Sequence, residues 1–138
     1  MEAPFNQTDA CVSPDGKWLA YVSDESGQDE VFVQAMNAPG TRVQISGDTG
    51  SEPRWARSGN ELLYVSKDWV MSVKFASGAA LNPGKPVVLF EDKRDWSGYD
   101  LARDGRLLVA RKAEEKGGGT QINVVLHWFD EMEAGLRK

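Results

Sequence analysis

Cysteine and histidine are nearly absent from this sequence, and their scarcity removes several classes of function. Among 138 residues there is one cysteine, Cys11, and one histidine, His127. A single cysteine cannot form an internal disulfide, and this pair lacks the spacing of a zinc site. A Gly-x-Ser-x-Gly nucleophile elbow is missing as well. We therefore expect no catalytic residue, no metal site and no cofactor in this chain, so the sequence predicts a protein that is not an enzyme.

Long apolar runs and basic clusters are also missing. The sequence has no apolar run of about 18 residues, and its amino terminus lacks a basic region followed by an apolar one. We therefore expect neither membrane insertion nor a signal peptide, and the sequence does not indicate the cellular compartment. The formal net charge is −5, from 16 basic and 21 acidic residues. Because binding to a phosphate backbone requires clustered Lys and Arg, we expect no nucleic-acid partner.

What the sequence does contain is a tight turn followed by an apolar strand. In the stretch Ser13-Pro14-Asp15-Gly16, proline supplies a φ of about −65° and aspartate can bond nearby backbone. Gly16 accommodates the positive φ that such a turn requires. The following residues, Trp18–Val22, are nearly all apolar, as in a strand covered on both faces. This stretch predicts a hairpin turn that leads into a buried strand.

Two weaker copies of this pattern follow downstream. Ala56-Arg57-Ser58-Gly59 precedes the apolar run Glu61–Ser66, and Ala102-Arg103-Asp104-Gly105 precedes Leu107–Ala110. The turn glycines are 43 and 46 residues apart. A four-stranded propeller blade repeats at about 40–45 residues. The sequence therefore predicts an all-β chain made of antiparallel β-propeller blades.

The repeats divide the single domain of residues 1–138 into three blades, at about 1–46, 47–92 and 93–129. The strands are expected near residues 9–13, 17–23, 29–36 and 42–46 in the first blade, 52–56, 60–66, 69–75 and 86–90 in the second, and 98–103, 106–111 and 121–129 in the third. The third blade thus lacks a fourth strand, and residues 130–138 form a short helical or frayed tail. Aromatic residues on these strands, Trp69 among them, are expected to lie mostly in the core.

The repeats resemble the TolB-type, WD-repeat-like β-propeller repeats, whose hallmark is a Trp-Ser-Pro-Asp-Gly turn before an apolar strand. The resemblance rests on Val12–Tyr21 and, more loosely, on Pro53–Gly59. More narrowly, Pro4–Asn6, Gly50–Pro53 and the ending Gln121–Phe129 resemble the carboxy-terminal blades of large bacterial propeller proteins, some of them fused to serine/threonine kinases. The second copy lacks Pro-Asp in its turn, and the third lacks the proline. The resemblance implies a periplasmic or cytoplasmic binding scaffold with loops around a central channel.

Strand alternation predicts that one set of loops emerges on a common face. These loops, residues 24–29, 46–53, 66–68, 91–98 and 112–120, hold 11 acidic and 5 basic residues, and we call them the acidic face. We expect it to attract a basic protein or peptide, with a merely solvated rim as the alternative. Trp96 lies in one of these loops and is the candidate exposed aromatic. The candidate partner-binding residues are Asp24, Glu25, Asp48, Glu52, Asp92, Asp95 and Trp96.

Three blades do not close a ring, which leaves three assemblies open. A two-fold homodimer would combine 3+3 blades into a six-bladed propeller, of which this chain is half. Alternatively, the chain is part of a larger propeller that serves as an accessory or sensor domain of a kinase or peptidase. An independent three-unit sheet protein would need capped ends, which the sequence does not reveal.

Overall fold

The chain folds into antiparallel strands joined by turns. The computed structural model describes residues 4–76, 80–91, 96–102, 104, 106–111 and 121–125. In these residues the strands are β1 (Gln7–Val12), β2 (Trp18–Ser23), β3 (Glu30–Ala35), β4 (Arg42–Gln44), β5 (Ser51–Trp55), β6 (Glu61–Ser66), β7 (Trp69–Lys74), β8 (Val87–Glu91), β9 (Trp96–Leu101), β10 (Leu107–Arg111) and β11 (Gln121–Val125). Every observed strand overlaps a predicted one, so the strand prediction is confirmed.

The strands form three sheets in which neighbours in sequence are neighbours in space. The orders are β1-β2-β3-β4, β5-β6-β7-β8 and β9-β10-β11, and all pairs are antiparallel. The chain separates into two compact units, residues 1–92 and 93–138. The first unit contains both four-stranded sheets and the second contains the three-stranded sheet. The predicted absence of a fourth strand in the third blade and the predicted tail concern residues 126–138, which lie outside the described residues.

The turn before β2 is built as the sequence predicts. The Gly16 amide donates to the Ser13 carbonyl at 2.8 Å, and Gly16 has a φ of 73°. The Asp15 carboxylate accepts from the Ser13 hydroxyl at 2.6 Å and from the Lys17 amide at 3.2 Å. These two hydrogen bonds, led by the one from Ser13, lower the pKa of Asp15. Because the hydrogen bonds favour the ionised carboxylate, Asp15 stays charged while it stabilises the turn.

The weaker copies reproduce parts of this turn. Gly59 also has a φ of 73°, and its amide donates to the Ala56 carbonyl at 2.9 Å. In the third copy the Asp104 carboxylate accepts from the Arg106 amide at 3.2 Å. Gly105 lies outside the described residues. The second turn therefore keeps the backbone geometry of the first although it lacks Pro-Asp.

A backbone bulge also recurs in the first strand of each sheet. Asp9 in β1 and Glu52 in β5 have φ values of 51° and 50°, and the strand register shifts around both. They are 43 residues apart, the same spacing as the turn glycines. In β9 the corresponding residue, 46 positions beyond Glu52, is Gly98, with a φ of 147°. Left-handed backbone costs a residue other than glycine about 1–3 kcal/mol, so the first two repeats share a strained feature that glycine avoids in the third.

The hydrophobic core of the first unit lies between its two sheets. Residues of both sheets meet there with at most 6% exposure: Ala20, Val22, Val31, Val33, Ile45, Leu62, Tyr64 and Val73. Side chains alternate between the faces of a strand, so every second residue of β2, β3 and β6 reaches this core. Burial, and then the negative charge of Glu30, raise the pKa of Tyr64 to about 12. The phenol is therefore neutral at physiological pH.

The first strands of the two sheets contact each other directly. The Cys11 thiol donates to the Pro53 carbonyl at 3.2 Å, and the Trp55 indole N–H donates to the Cys11 carbonyl at 3.3 Å. Burial raises the pKa of the Cys11 thiol. Cys11 is thus a half-buried packing residue, as its place on a predicted strand indicates.

The opposite face of the first sheet carries an aromatic pair beneath an arginine. Tyr21 and Phe32 stack with ring centroids 5.9 Å apart. The Arg42 guanidinium lies 5.5 Å from the Phe32 ring centroid and 2.6 Å from the Glu25 carboxylate. Hydrogen bonding to Tyr21, and then the charge of Glu25, raise the pKa of Arg42. We call Tyr21, Glu25, Phe32 and Arg42 the arginine cap.

Candidate functional site

Three loops of the first unit meet at one end of its sheets, as the strand alternation predicts. The Gly50 amide donates to the Asp29 carbonyl at 2.8 Å, and this hydrogen bond joins the β2–β3 loop to the β4–β5 connection. The Gln28 side-chain amide donates to the Asp48 carbonyl and reinforces this junction. The hydroxyls of Thr49 and Ser66 lie 3.2 Å apart and join the connection to the β6–β7 turn. Residues 24–29, 46–53 and 66–68 therefore form one continuous surface.

This surface carries six acidic residues and one basic residue. Four of these acids have an interaction partner, and three of the four make the following contacts. Both oxygens of Asp24 accept from Asn6 at 2.8 Å, Glu25 pairs with Arg42, and Asp48 pairs with Lys67. Their carboxylates are therefore occupied within the protein, and they contribute to the surface mainly through their field.

The remaining acids of this surface differ in their availability. Asp29 and Asp68 are exposed, and neither has a side-chain partner among the described residues. Glu52 is partly buried in the β5 bulge and does have an interaction partner. Asp29 and Asp68 are therefore the two carboxylates best placed to meet a ligand.

Two other predicted site residues, Asp92 and Asp95, lie outside the described residues. Trp96 begins β9, so its predicted position in a loop is wrong; only its backbone is described, and its predicted exposure is not tested. Of the seven predicted candidates, the structure brings together Asp24, Glu25, Asp48 and Glu52. The prediction for the other three therefore stays a prediction.

Trp69 is an exposed member of the group of strand aromatics that are expected to lie mostly in the core. Its side chain is 37% exposed, and it begins β7 directly after the turn formed by Lys67 and Asp68. Lys67 occupies the left-handed region with a φ of 54°. Strand periodicity indicated that Trp69 belongs to a strand but not that it sits at the acidic end. The clue available in the sequence is that the residue directly follows a turn of the acidic face.

Trp69 belongs to an exposed apolar patch on the second sheet. Met71 lies two residues further along β7, on the same face, and pairs with Val88 of the edge strand β8. Val88 is 48% exposed, whereas Met71 is partly buried and packs against the core between the two sheets, so it forms the inner edge of the patch. Asp68 precedes Trp69, and Glu91 lies opposite it in register on β8. We call Trp69, Met71 and Val88 the Trp69 patch; it is apolar and has an acidic border.

A buried polar pair lies just beneath the joined loops. The Ser46 hydroxyl donates to the Glu30 carboxylate and accepts from the Val31 amide at 2.8 Å. The Gln28 side-chain amide donates to the same carboxylate at 2.7 Å. Ser46 is 3% exposed and Glu30 is 2% exposed, so a substrate cannot reach this serine. The Ser46–Glu30 pair therefore holds the loops in position, and its side chains are inaccessible to a substrate.

Two structural features are absent from the described residues, a metal-binding cluster and a membrane-spanning helix. In these ranges, groups of three or more His, Cys, Asp or Glu side chains that could hold a metal ion are absent. The same part of the chain has no helix that is long and apolar enough to cross a membrane.

Comparison with known proteins identifies the fold. The chain is similar to TolB from Acinetobacter baumannii, with 19% identity and a TM-score of 0.62 over 90% of this chain and 30% of TolB. It is also similar to oligogalacturonate lyase from Vibrio parahaemolyticus, with 17% identity and a TM-score of 0.59 over 80% of this chain and 31% of the lyase. Neither a protein-family model nor a curated protein matches. Both structures are β-propeller proteins, and the sheets described above are β-propeller blades.

Proposed function

We propose that this chain is a non-catalytic part of a β-propeller that binds a basic protein or peptide through its acidic face. The observation that supports this proposal is the continuous surface of three joined loops, which contains six acidic residues and one basic residue. Such a field attracts cationic partners and speeds their encounter with the protein. The hydrogen bonds between the loops hold the surface in one shape, which lowers the entropic cost of binding.

A TolB-type character is part of this proposal. It is supported by the Ser13–Gly16 turn, by the recurrence of its geometry at Gly59, and by the structural similarity to TolB. The resemblance to the carboxy-terminal blades of large bacterial propeller proteins adds a narrower expectation, in which such blades serve as binding modules beside other domains.

The acidic face is tested by neutralising its two unpaired acids. We expect the Asp29→Asn/Asp68→Asn variant to associate about fivefold more slowly than the unmodified chain with a labelled peptide of alternating lysine and serine at about 0.1 M salt. The reason is that the variant removes two exposed charges that have no side-chain partner among the described residues. Stopped-flow fluorescence gives the association rate directly.

The matched control is the Asn37→Lys/Thr41→Lys variant. It raises the net charge by the same amount, but on the exposed β3–β4 connection at the opposite end of the first sheet. We expect a much smaller loss of rate for this control, because screening by salt limits the reach of a charge to about 10 Å. Equal losses in both variants would mean that overall charge matters and the acidic face does not.

We further propose that a second copy completes the ring with 3+3 blades. Tyr21 and Tyr64 occupy the same place in their repeats, each five residues after a turn glycine. Tyr64 packs between two blades, whereas Tyr21 lies on the outer face of the first blade. This equivalence supports the packing of a further blade against Tyr21.

The mass of the protein in solution tests this assembly. Light scattering coupled to size exclusion should give twice the chain mass of 15.2 kDa at all concentrations tested. A stable 15.2 kDa species would contradict the homodimer. The second candidate is a segment of a larger propeller that serves a kinase or peptidase, and it is favoured by the 30–31% of each neighbour's length that the chain spans. That candidate predicts a polydisperse sample, because unpaired blade faces aggregate.

A further inference from the structure

We infer that the Trp69 patch anchors the basic partner, and that it does so by receiving a lysine or arginine over the Trp69 ring and an apolar residue against Met71 and Val88. This inference rests on the proposed function of the acidic face and names the part of it that provides most of the affinity. It differs from the sequence prediction, in which Trp96 is the exposed aromatic.

The exposure of Trp69 is the first step of the argument. A tryptophan ring carries a large apolar surface, and here 37% of the side chain remains in water next to the half-exposed Val88. Within the described part of the chain, no cation and no aromatic ring lies against the Trp69 indole. Exposed tryptophans of this kind are common anchors of protein interfaces, because their burial removes a large apolar area from water at a small loss of side-chain conformational entropy.

The charges around Trp69 determine which partner fits. Asp68 is exposed and without a side-chain partner in the described ranges, and Glu91 lies opposite Trp69 on β8. The adjacent base, Lys67, is already paired with Asp48. Glu91 has an interaction partner, so the available charge at the border is that of Asp68, which an anionic or purely apolar partner would leave uncompensated.

The arginine cap provides an internal precedent for this arrangement. There a carboxylate and an aromatic ring hold one cation between them: Arg42 lies 5.5 Å from the Phe32 centroid and 2.6 Å from Glu25. Trp69 and its neighbour in sequence, Asp68, also provide a ring and a carboxylate, and among the described residues no cation lies against this ring. Indole is the ring that attracts cations most strongly. The missing component is therefore a lysine or arginine, and the partner would provide it.

The apolar part of the patch determines the spacing of the partner. Met71 and Val88 are cross-strand neighbours next to Trp69, so an extended segment would present its cation and an apolar side chain two residues further on to the same sheet face. We therefore expect a segment with a basic and an apolar residue at every second position to bind better than an equally charged segment without apolar residues.

The test compares two equally charged labelled peptides, one that repeats Lys-Ser-Leu-Ser and one that repeats Lys-Ser-Ser-Ser, so that in the first peptide lysine and leucine share a face of the extended chain. For the lysine–leucine peptide, fluorescence anisotropy should show an affinity about tenfold lower for Trp69→Ala and about threefold lower for Trp69→Phe than for the unmodified protein. Phenylalanine keeps a ring, so this variant separates a lost contact from a lost fold. Circular dichroism of each variant verifies that its strands are intact.

Met36→Ala is the matched control, because Met36 is 48% exposed and lies at the opposite end of the first sheet. This variant should bind both peptides as tightly as the unmodified protein does. Weakening by the Trp69 variants and not by Met36→Ala would support the inference. If Asp29→Asn/Asp68→Asn weakens binding while Trp69→Ala does not, the inference is wrong and the proposed function survives. If neither peptide binds the unmodified protein, both are wrong.

Discussion

Ser46→Ala should lower the free energy of unfolding by about 2–4 kcal/mol, although it removes only one oxygen atom. The hydroxyl of Ser46 donates to the Glu30 carboxylate and accepts from the Val31 amide. Glu30 is 2% exposed, so water cannot replace the lost donor. The variant therefore leaves one buried charge and one buried N–H poorly satisfied. Urea unfolding measures the change through the transition midpoint.

Ser58→Ala is the control for this prediction. Ser58 also makes a side-chain hydrogen bond, to Asn60, but in an exposed turn. Water takes over an exposed hydrogen bond, so we expect a change within about 0.5 kcal/mol. Combining Ser46→Ala with Glu30→Gln should cost less than the sum of the two single changes, because both act on one network. Full additivity would show that the two residues stabilise the fold independently.

Gly50→Ala should lower the free energy of unfolding by about 2–3 kcal/mol, because its methyl group has no room. A β-carbon at position 50 would lie 2.7 Å from the Ser46 β-carbon and 2.8 Å from a methyl group of Val31. Both neighbours are buried, so relief would require movement of the core or of the loop. Urea unfolding again gives the loss of stability.

Gly47→Ala in the same loop is the matched control, with the opposite sign expected. A β-carbon there meets nothing within 4 Å, and Gly47 has no positive φ. Replacing glycine by alanine at such a position restricts the unfolded chain and stabilises a protein by about 0.4–1 kcal/mol. A destabilised Gly47→Ala, or a neutral Gly50→Ala, would contradict the close packing of this loop against the first sheet.

The strands could be predicted from the sequence because turn residues and apolar runs are local signals. Gly16 and Gly59 mark turns whose φ values agree, and the strands that follow them bury the residues expected. The bulges at Asp9 and Glu52 could not be predicted, because aspartate and glutamate give little indication of a left-handed backbone. That geometry depends on how the first strand pairs with the second.

The acidic end of the blades could be predicted, but the state of its acids could not. Charge counting treats every carboxylate alike, whereas the structure pairs Glu25 with Arg42, 17 residues away, and Asp48 with Lys67, 19 residues away. Such pairings depend on which loops meet in space. The exposure of Trp69 was missed for the same reason, since alternation assigns a residue to a face of a strand but not to a depth within the fold.

A further blade that completes the proposed ring would compete with the Arg42 side chain for one surface of the first sheet. The Arg42 guanidinium lies over Phe32, on the face of the first sheet where a further blade would pack against Tyr21, so an incoming blade must displace it. Salt weakens the Glu25–Arg42 attraction that holds the guanidinium in place, and it also weakens the attraction of the acidic face for a basic segment. Ionic strength therefore acts on the two proposed interactions in opposite directions: it favours assembly of the blades and disfavours capture of the peptide.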